Sequence, residues 1–429
     1  MHFLINYIFR NKPFFLGIIL IILIGGIAGF IGAFLIFLLF FLYLKNSRLQ
    51  FLLITFLVTF FLGDNISGFL SFNNNFRFLI LGFGLIYLLK FNILKRNEGM
   101  VLLPFTVVAL TITFLFSPLG LDALIRSIGF LLVGLVIFKS INKLYTADSN
   151  KASDLLILVL FLYFLINAIL VFIPTFYLVG RFSGLMNNPN GLGMLGMLSF
   201  GIIDLLQKSK NTSFTDRFYL GFKILLFVLV LLTGSRTAML SIIIYLVVLQ
   251  VYKNKKFLIL VVLMFFPLSY LLYNIDFIAI FNSLGLGESL RTDSLESGSG
   301  RMETWMVAWD EVKNQPFFGK GMMYDNYFID EYRETFIGEN QGRHWYGIWS
   351  SYLSLLLNVG IVGLIAYLLF LFKCFQMAHN KKLAFAFLIL VLASGVTESW
   401  MAASMNAFTP LLFLYFAIQA QPNNPYKTS

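Results

Sequence analysis

The sequence predicts an all-α, polytopic integral membrane protein with about 12–14 transmembrane helices and one large outer loop. Three observations carry this. Of 429 residues, 59% are hydrophobic and only 12% charged, about half the charged share of a soluble domain. Apolar runs recur along nearly the whole chain, with a mean hydropathy of +0.85. The lysines sit in every second hydrophilic gap, the pattern of a chain that crosses a bilayer repeatedly.

Apolar stretches fall near 14–29, 31–44, 50–62, 76–90, 100–116, 121–138, 154–174, 190–206, 218–232, 236–252, 257–273, 347–372, 383–397 and 403–419. Several are shorter than the ~20 residues of a typical span, which implies tilt or local thinning of the bilayer. Residues 14–44 read as two short spans hinged at Gly25-Gly26, or as one long span. Charge decides between them. The gaps at 45–49, 91–99, 139–153, 207–217, 253–256 and 373–382 hold most of the lysines, and the alternate gaps almost none. The positive-inside rule then puts both termini in the cytoplasm and requires 14–44 to cross twice. Arg10 and Lys12 before an apolar run resemble a signal peptide, but no small-residue cleavage site follows and further spans do, which predicts a retained first helix. The net charge of +11 is spread over these short gaps, which argues against nucleic acid as a partner. The one cysteine, Cys374, excludes an intramolecular disulfide.

The chain thus divides into a transmembrane region (1–273), a large outer loop (274–346), and C-terminal spans with a short tail (347–429). The loop holds twelve acidic and six basic residues and is too long to be a bare connection. Within it, 301–314 sets Met302, Trp305, Met306 and Trp309 at helical spacing between Gly300 and Pro316. That predicts an amphipathic helix on the membrane-proximal surface, its tryptophans serving most simply as interfacial anchors.

Topology does not explain the arginines. Arg77, Arg181, Arg236, Arg291, Arg301, Arg333 and Arg343 fall on the outer side, and Arg126 within a span. Guanidinium presents a planar fork of donors matched to phosphate and carboxylate. Each could simply pair with a loop carboxylate or lipid phosphate, but two contexts favour a built anion site. Arg181 stands in GRFSGLMNNPNGLGMLG, where Asn190 can cap the following span and aim its N-terminal amides outward. Arg236 lies in the tight turn TGSRTAM, held near the bilayer, with Ser235 or Thr237 able to cap the next helix.

Two further groups could move a proton. His344, in GRHWYGIW where the loop re-enters the membrane, can act as a base or orient a hydroxyl, or be an ordinary interfacial histidine. Glu398 sits in the short outer gap GVTESWMAASMN and needs a wet or paired environment. The chain has no phosphate-binding loop with Gly-Lys-Ser/Thr, no His-Glu-x-x-His, no cysteine pair for a metal and no nucleophile elbow. An outward-facing enzyme without ATP would have to use a substrate already activated.

The ordered series over residues 181–363 resembles the bacterial O-antigen polymerase/ligase superfamily. Arg181-Phe-Ser-Gly with Asn187, Pro189 and Asn190 matches a first signature, Ser235-Arg236 a second, and Gly300-Arg301 with Trp305 and Pro316-x-x-Gly319-x-Gly321 a third. Tyr352-Leu353 with Gly360 and Gly363 matches the span after the loop. The resemblance implies a glycosyltransferase of the bacterial cytoplasmic membrane. It would act on the outer face on undecaprenyl-diphosphate-linked glycans, without nucleotide, metal or other cofactor. The first two signature arginines would engage the lipid diphosphate. On the reading of the residues themselves, Arg301, Arg343 and Asn190 are candidates to complete the substrate site, His344 or Glu398 to act as the base, and Arg236 to stabilise the departing diphosphate. Protein partners implied are a flippase and a chain-length regulator. Ligases of this family carry His-Asn directly before Tyr-Leu, where this chain has Ser350-Ser351. That departure favours a polymerase. A ligase is the nearest alternative, and a transporter of lipid-linked sugars a more distant one.

Overall fold

The computed structural model describes residues 8, 11–90, 99–253, 301–337, 343–401 and 403–421. The predicted stretch 257–273 and the loop positions 274–300, Arg291 among them, lie outside the described residues. What is described is all-α, with a single two-stranded hairpin. Among the described residues, five helices are long and apolar enough to cross a membrane, and the chain is a multi-pass membrane protein.

Helix α1 (Lys12–Tyr43) is a hairpin, not a rod. Its backbone breaks at Gly29, with φ +71° and ψ −169°. A Cβ on Gly17 would lie 2.8 Å from the Phe40 ring, whereas a straight helix would hold those positions about 34 Å apart. Phe14 and Phe37, from opposite arms, both pack on Phe51. The two arms expected at 14–44 are therefore present, but the turn is at Gly29 instead of Gly25-Gly26. The reason is packing. Gly25 and Gly26 admit the rings of Phe72 and Phe69, which a Cβ would meet at 2.4 and 2.1 Å, while Gly29 has open space and takes the positive φ.

Helix α2 (Arg48–Phe61) is buried along most of its length and packs on α3 (Asn73–Leu89). After α4 (Leu103–Phe116), α5 runs from Leu121 to Leu170 with one break, at Asp148. The Asp148 carboxylate caps the second arm by accepting from the Lys151 amide at 3.0 Å. Tyr145 and Ser153, eight positions apart, share a hydrogen bond of 3.0 Å, which a straight helix rising about 12 Å over that interval forbids. The lysine-rich gap 139–153 is thus helical on both sides of a sharp turn. It separates the two expected spans without being a loop.

A β-turn then delivers the first candidate arginine. Strands β1 (Tyr177–Leu178) and β2 (Arg181–Phe182) pair antiparallel, with Val179 and Gly180 both at positive φ (50° and 71°). This suits a two-residue hairpin, but a β-branched residue is strained there. Val179→Asn should therefore raise stability by about 1 kcal/mol, seen as an upward shift of the melting temperature in detergent. A downward shift would mean that Val179 earns its place by another contact.

Helix α6 (Pro189–Ser209) is the buried centre of the molecule, packed by α7 (Asp216–Leu232), α8 (Arg236–Lys253) and α13 (Phe408–Gln419). Its charge, Asp204, is satisfied by Lys208 at 2.5 Å, by Lys223 of α7 and by the Tyr245 hydroxyl of α8 at 2.8 Å. Helix α12 (Lys381–Thr397) lies against α8.

The loop folds onto α11 (Ser351–Met377). Helix α9 (Arg301–Asn314) buries Thr304, Ala308 and Val312, and leaves Met302, Met306 and Trp309 about half exposed. Trp305, expected on that open face, is partly covered and donates to the Ile348 carbonyl at 2.8 Å. Helix α10 (Tyr324–Tyr332) follows, and Ala308, Ile329, Trp345 and Ile348 make a small core distinct from that of the helix bundle. Lys320 ties the two loop helices by contacts to Glu311 at 2.5 Å and to the Tyr324 hydroxyl at 2.9 Å.

Helix α11 is broken at Gly360 (φ +62°, ψ −169°). A break inside an apolar environment strands backbone donors and acceptors that must find partners within the protein. Segment 316–321 supplies them. Lys320 and Gly321 amides donate to the Leu357 and Asn358 carbonyls at 2.9 and 2.7 Å, while Ile361 and Val362 amides donate to Pro316 and Phe317 carbonyls at 2.9 and 3.1 Å. The Asp325 amide then donates to Asn358 Oδ1 at 2.9 Å. The two glycine-bearing signatures, Pro316-x-x-Gly319-x-Gly321 and Gly360, are halves of one joint.

Candidate active site

Four residues singled out from sequence meet in one hydrogen-bonded chain. Arg181, at the exit of the hairpin, donates through Nε to the Thr233 carbonyl at 2.7 Å and through Nη2 to Asn190 Oδ1 at 2.5 Å. Asn190 Nδ2 donates to Glu398 Oε1 at 3.0 Å. Arg301, the first residue of α9, donates through Nη2 to the same oxygen at 3.0 Å. Glu398 is 7% exposed and follows the last residue of α12.

Local sequence explains each placement. Asn188, not Asn190, caps α6, its Oδ1 accepting from the Asn190 amide at 2.9 Å. Pro189 occupies the first helical position, as its fixed φ and missing donor favour. The Asn190 side chain is thereby free to bridge Arg181 and Glu398, beside the positive end of the α6 dipole. The turn 233–235 can approach α6 because residue 193 is glycine, whose Cβ would fall 2.6 Å from that of Ser235.

Arg236 is the first residue of α8, directly after Ser235 and partly buried. Its neighbour Thr237 shares a 2.6 Å hydroxyl contact with Thr397, the residue before Glu398. The turn that bears Arg236 therefore touches the site on two sides, through Thr233 and Thr237. Arg343 and His344 lie in a short turn, Arg343–Tyr346, on the loop's return to α11, and their side chains are outside the described residues. Arg333 is engaged within the loop, by Asp330 at 2.9 Å and over the Tyr346 ring.

Sequence reasoning passed over two groups here. Trp349, at φ +53°, sets its ring 6.0 Å from the Arg301 guanidinium, an aromatic wall for the cation. Ser351 holds the backbone of the catalytic candidate, donating to the Glu398 carbonyl at 2.5 Å and accepting from the Trp400 and Met401 amides at 3.0 and 3.2 Å. Ser350 caps α11. The signal was present in Ser350-Ser351-Tyr352-Leu353, where the departure from the family's His-Asn pair drew attention but not a role.

Electrostatically, burial pushes the Glu398 carboxyl above the ordinary glutamate range, while Arg301 and then Arg181 pull it back without cancelling the effect. The site thus holds a poorly hydrated carboxylate between two guanidinium groups, with a third arginine, Arg236, at the adjacent helix start. Such an arrangement can exchange its internal anion for a phosphate oxygen and can accept a proton.

Fold and site together define a multi-pass α-helical membrane protein with an arginine-lined carboxylate centre built from distant parts of the chain. Residues 221–368 match the family model described as O-Antigen ligase. No curated protein matches the chain. The matched residues include Arg236, Arg301 and Trp349, whereas Arg181, Asn190 and Glu398 lie outside them in sequence and join them in space. The match supports membership of the O-antigen polymerase/ligase superfamily, and that family implies a glycosyltransferase-like enzyme working on lipid-linked glycans in a membrane.

Proposed function

We propose that the protein polymerises undecaprenyl-diphosphate-linked oligosaccharide repeat units into surface polysaccharide, on the outer face of the bacterial cytoplasmic membrane, with both termini cytoplasmic. The observation that carries this reading is the convergence of Arg181, Asn190, Glu398 and Arg301 into one chain, with Arg236 beside it. In it, Glu398 occupies the place that a diphosphate would take among the arginines. Arrival of the donor diphosphate draws Arg301 and Arg181 onto its oxygens and leaves the carboxylate without its counter-charges. The freed Glu398 accepts the proton of an incoming sugar hydroxyl as that oxygen bonds to the anomeric carbon. The bond from that carbon to the diphosphate breaks, its electron pair leaving on undecaprenyl diphosphate, where the arginines receive the charge. His344 is the other proton acceptor within this proposal.

Ligation is the second reading, favoured by the description of the matching family model. It uses the same donor centre and a different acceptor. Against it stands the pair Ser350-Ser351, one hydroxyl capping a helix and the other clamping Glu398, where a ligase would place histidine and asparagine. Transport would use charges deep within spans, but Asp204, buried in α6, is engaged by two lysines and a tyrosine.

The test is the length distribution of surface polysaccharide in a strain lacking the gene. Collapse to single repeats supports polymerisation. Long chains stranded on the lipid carrier would make it a ligase, and loss of all outward-facing repeats would make it a transporter. Arg236→Ala, with the protein still inserted, should slow elongation by about 10²–10³-fold, the loss typical of one transition-state donor. Normal chain lengths in that variant would remove Arg236 from the site.

A further inference from the structure

Two arginines without a part in that chemistry, Arg77 and Arg126, converge at the other end of the connection that begins with Glu398. Arg77 donates through Nη1 to the Met405 carbonyl at 2.7 Å, and through Nε to Asn74 at 3.2 Å. The hydroxyl of the adjacent residue, Ser404, donates to the Arg126 carbonyl at 2.8 Å. The approach is tight, since a Cβ on Gly129 would lie 2.9 Å from that hydroxyl. The two guanidinium groups are close enough to act on one another electrostatically, and both side chains are partly buried.

Their carboxylate neighbours do not close the pair. Asp64, facing Arg77, is bound by the Asn187 amide. Asp122, one turn before Arg126, is exposed and acts on it only through space. Among the described residues, no hydrogen bond or ion pair holds the Arg126 guanidinium. Two like charges kept together away from bulk water repel, and an anion between them relieves this. Planar guanidinium forks suit phosphate oxygens best.

Position narrows the ligand. Residues 398–407 join the two arginine groups, Glu398 at one end on Arg301 and Asn190, Ser404 and Met405 at the other on Arg126 and Arg77. A second tie runs alongside, where the Ile66 amide donates to Leu185 and the Asn187 amide to Asp64, just ahead of Asn190. A polymerase must hold two lipid-linked diphosphates at once, with their glycans meeting between them. We propose that Arg77 and Arg126 form a second phosphate-binding centre, which holds the diphosphate of the acceptor chain while the Arg181–Arg301 centre holds that of the donor. The assignment rests on the polymerase reading. A phospholipid headgroup offers the same phosphate chemistry, so the two sources need separate arms in the test.

The experiment is native mass spectrometry of the purified full-length protein in detergent, titrated with undecaprenyl diphosphate and, separately, with phosphatidylglycerol. Wild type should retain two equivalents of undecaprenyl diphosphate. Arg126→Gln should retain one, with the lost event weakened at least tenfold, and Arg181→Gln should retain the other. Arg126→Lys, which keeps the charge, should recover the second equivalent at reduced affinity, showing that the glutamine variant is not merely misfolded. Two equivalents on Arg126→Gln would overturn the proposal. So would loss of phosphatidylglycerol from that variant with undecaprenyl diphosphate unaffected. Loss of one equivalent in Arg126→Gln with none lost in Arg181→Gln would leave this centre standing and remove the donor centre.

Discussion

Replacing Glu398 by glutamine should lower the rate of chain elongation by about 10²–10⁴-fold, the range in which a positioned general base contributes, while leaving diphosphate binding intact or tighter. The substitution keeps the shape of the side chain and an oxygen to accept from Asn190 and Arg301, so the outer turn should still fold. It removes the negative charge that competes with diphosphate for Arg301 and Arg181, which is why binding should not weaken. The pH profile makes the test sharper. Burial raises the Glu398 pKa, and only the ionised form can accept a proton. Wild-type elongation should therefore fall on the acid side at a pH above the ordinary glutamate range, and Glu398→Gln should lack that limb. Stability follows the opposite sign. The native state binds this proton more tightly than the unfolded chain. The associated stability is thus fully present below the ordinary glutamate pKa and lost as pH rises through the raised value. Elongation assayed in membranes with a defined lipid-linked repeat reads the first effect, and melting temperature against pH the second. An unchanged rate in Glu398→Gln would return the base to His344 or to the acceptor itself.

How much of this was legible in the sequence depends on the range of the interaction. Composition and apolar recurrence gave the fold class, because burying so much apolar surface leaves a chain little choice but helices in lipid. That 14–44 has two arms was legible from charge alone, but not its hinge, since choosing Gly29 over Gly25-Gly26 depends on where Phe69 and Phe72 pack. The gap 139–153 read only as a polar break between spans because its lysines mark polarity, and polarity does not distinguish a loop from helix ends joined at Asp148. In the site, Arg181, Arg301 and Glu398 stood out one by one as charges in the wrong place for topology. That Arg301 directly, and Arg181 by way of Asn190, reach one Glu398 oxygen could not be read, with 208 positions between Asn190 and Glu398. Nor could the cap at Asn188, since either asparagine satisfies the local pattern and only the pull of Arg181 and Glu398 on Asn190 decides between them. Ser351 shows the limit most clearly, as a small hydroxyl whose role is to hold backbone at 398–401 has no signature of its own.

A substitution that changes no charge should be the most damaging to the fold. Gly360→Val places a branched side chain at φ +62°, where a Cβ would lie 2.3 Å from the carbonyl carbon and oxygen of Phe317. Left-handed backbone costs a non-glycine residue about 1–2 kcal/mol, and a β-branched one more. The clash is with backbone, which no rotamer change relieves. The cheapest escape is for α11 to straighten into a continuous helix, which reclaims its own i→i−4 bonds and expels segment 316–321. That removes the partners of Lys320, Gly321, Ile361 and Val362, and with them the joint between Asp325 and Asn358. Helix α9 then loses its anchor, and Arg301 leaves Glu398. The expected loss is about 3 kcal/mol or more, in the upper range for single substitutions, with elongation abolished although no charged residue has changed. Limited proteolysis should cut within 301–337 in Gly360→Val and not in wild type. Gly221→Ala is the matched control. It lies in α7 with nothing within 4 Å of its Cβ position, and should be neutral or stabilising by about 0.5–1 kcal/mol through helix propensity. Should Gly360→Val melt with wild type and resist protease, α11 would tolerate the side chain with the loop still docked, and the break would not be what positions Arg301.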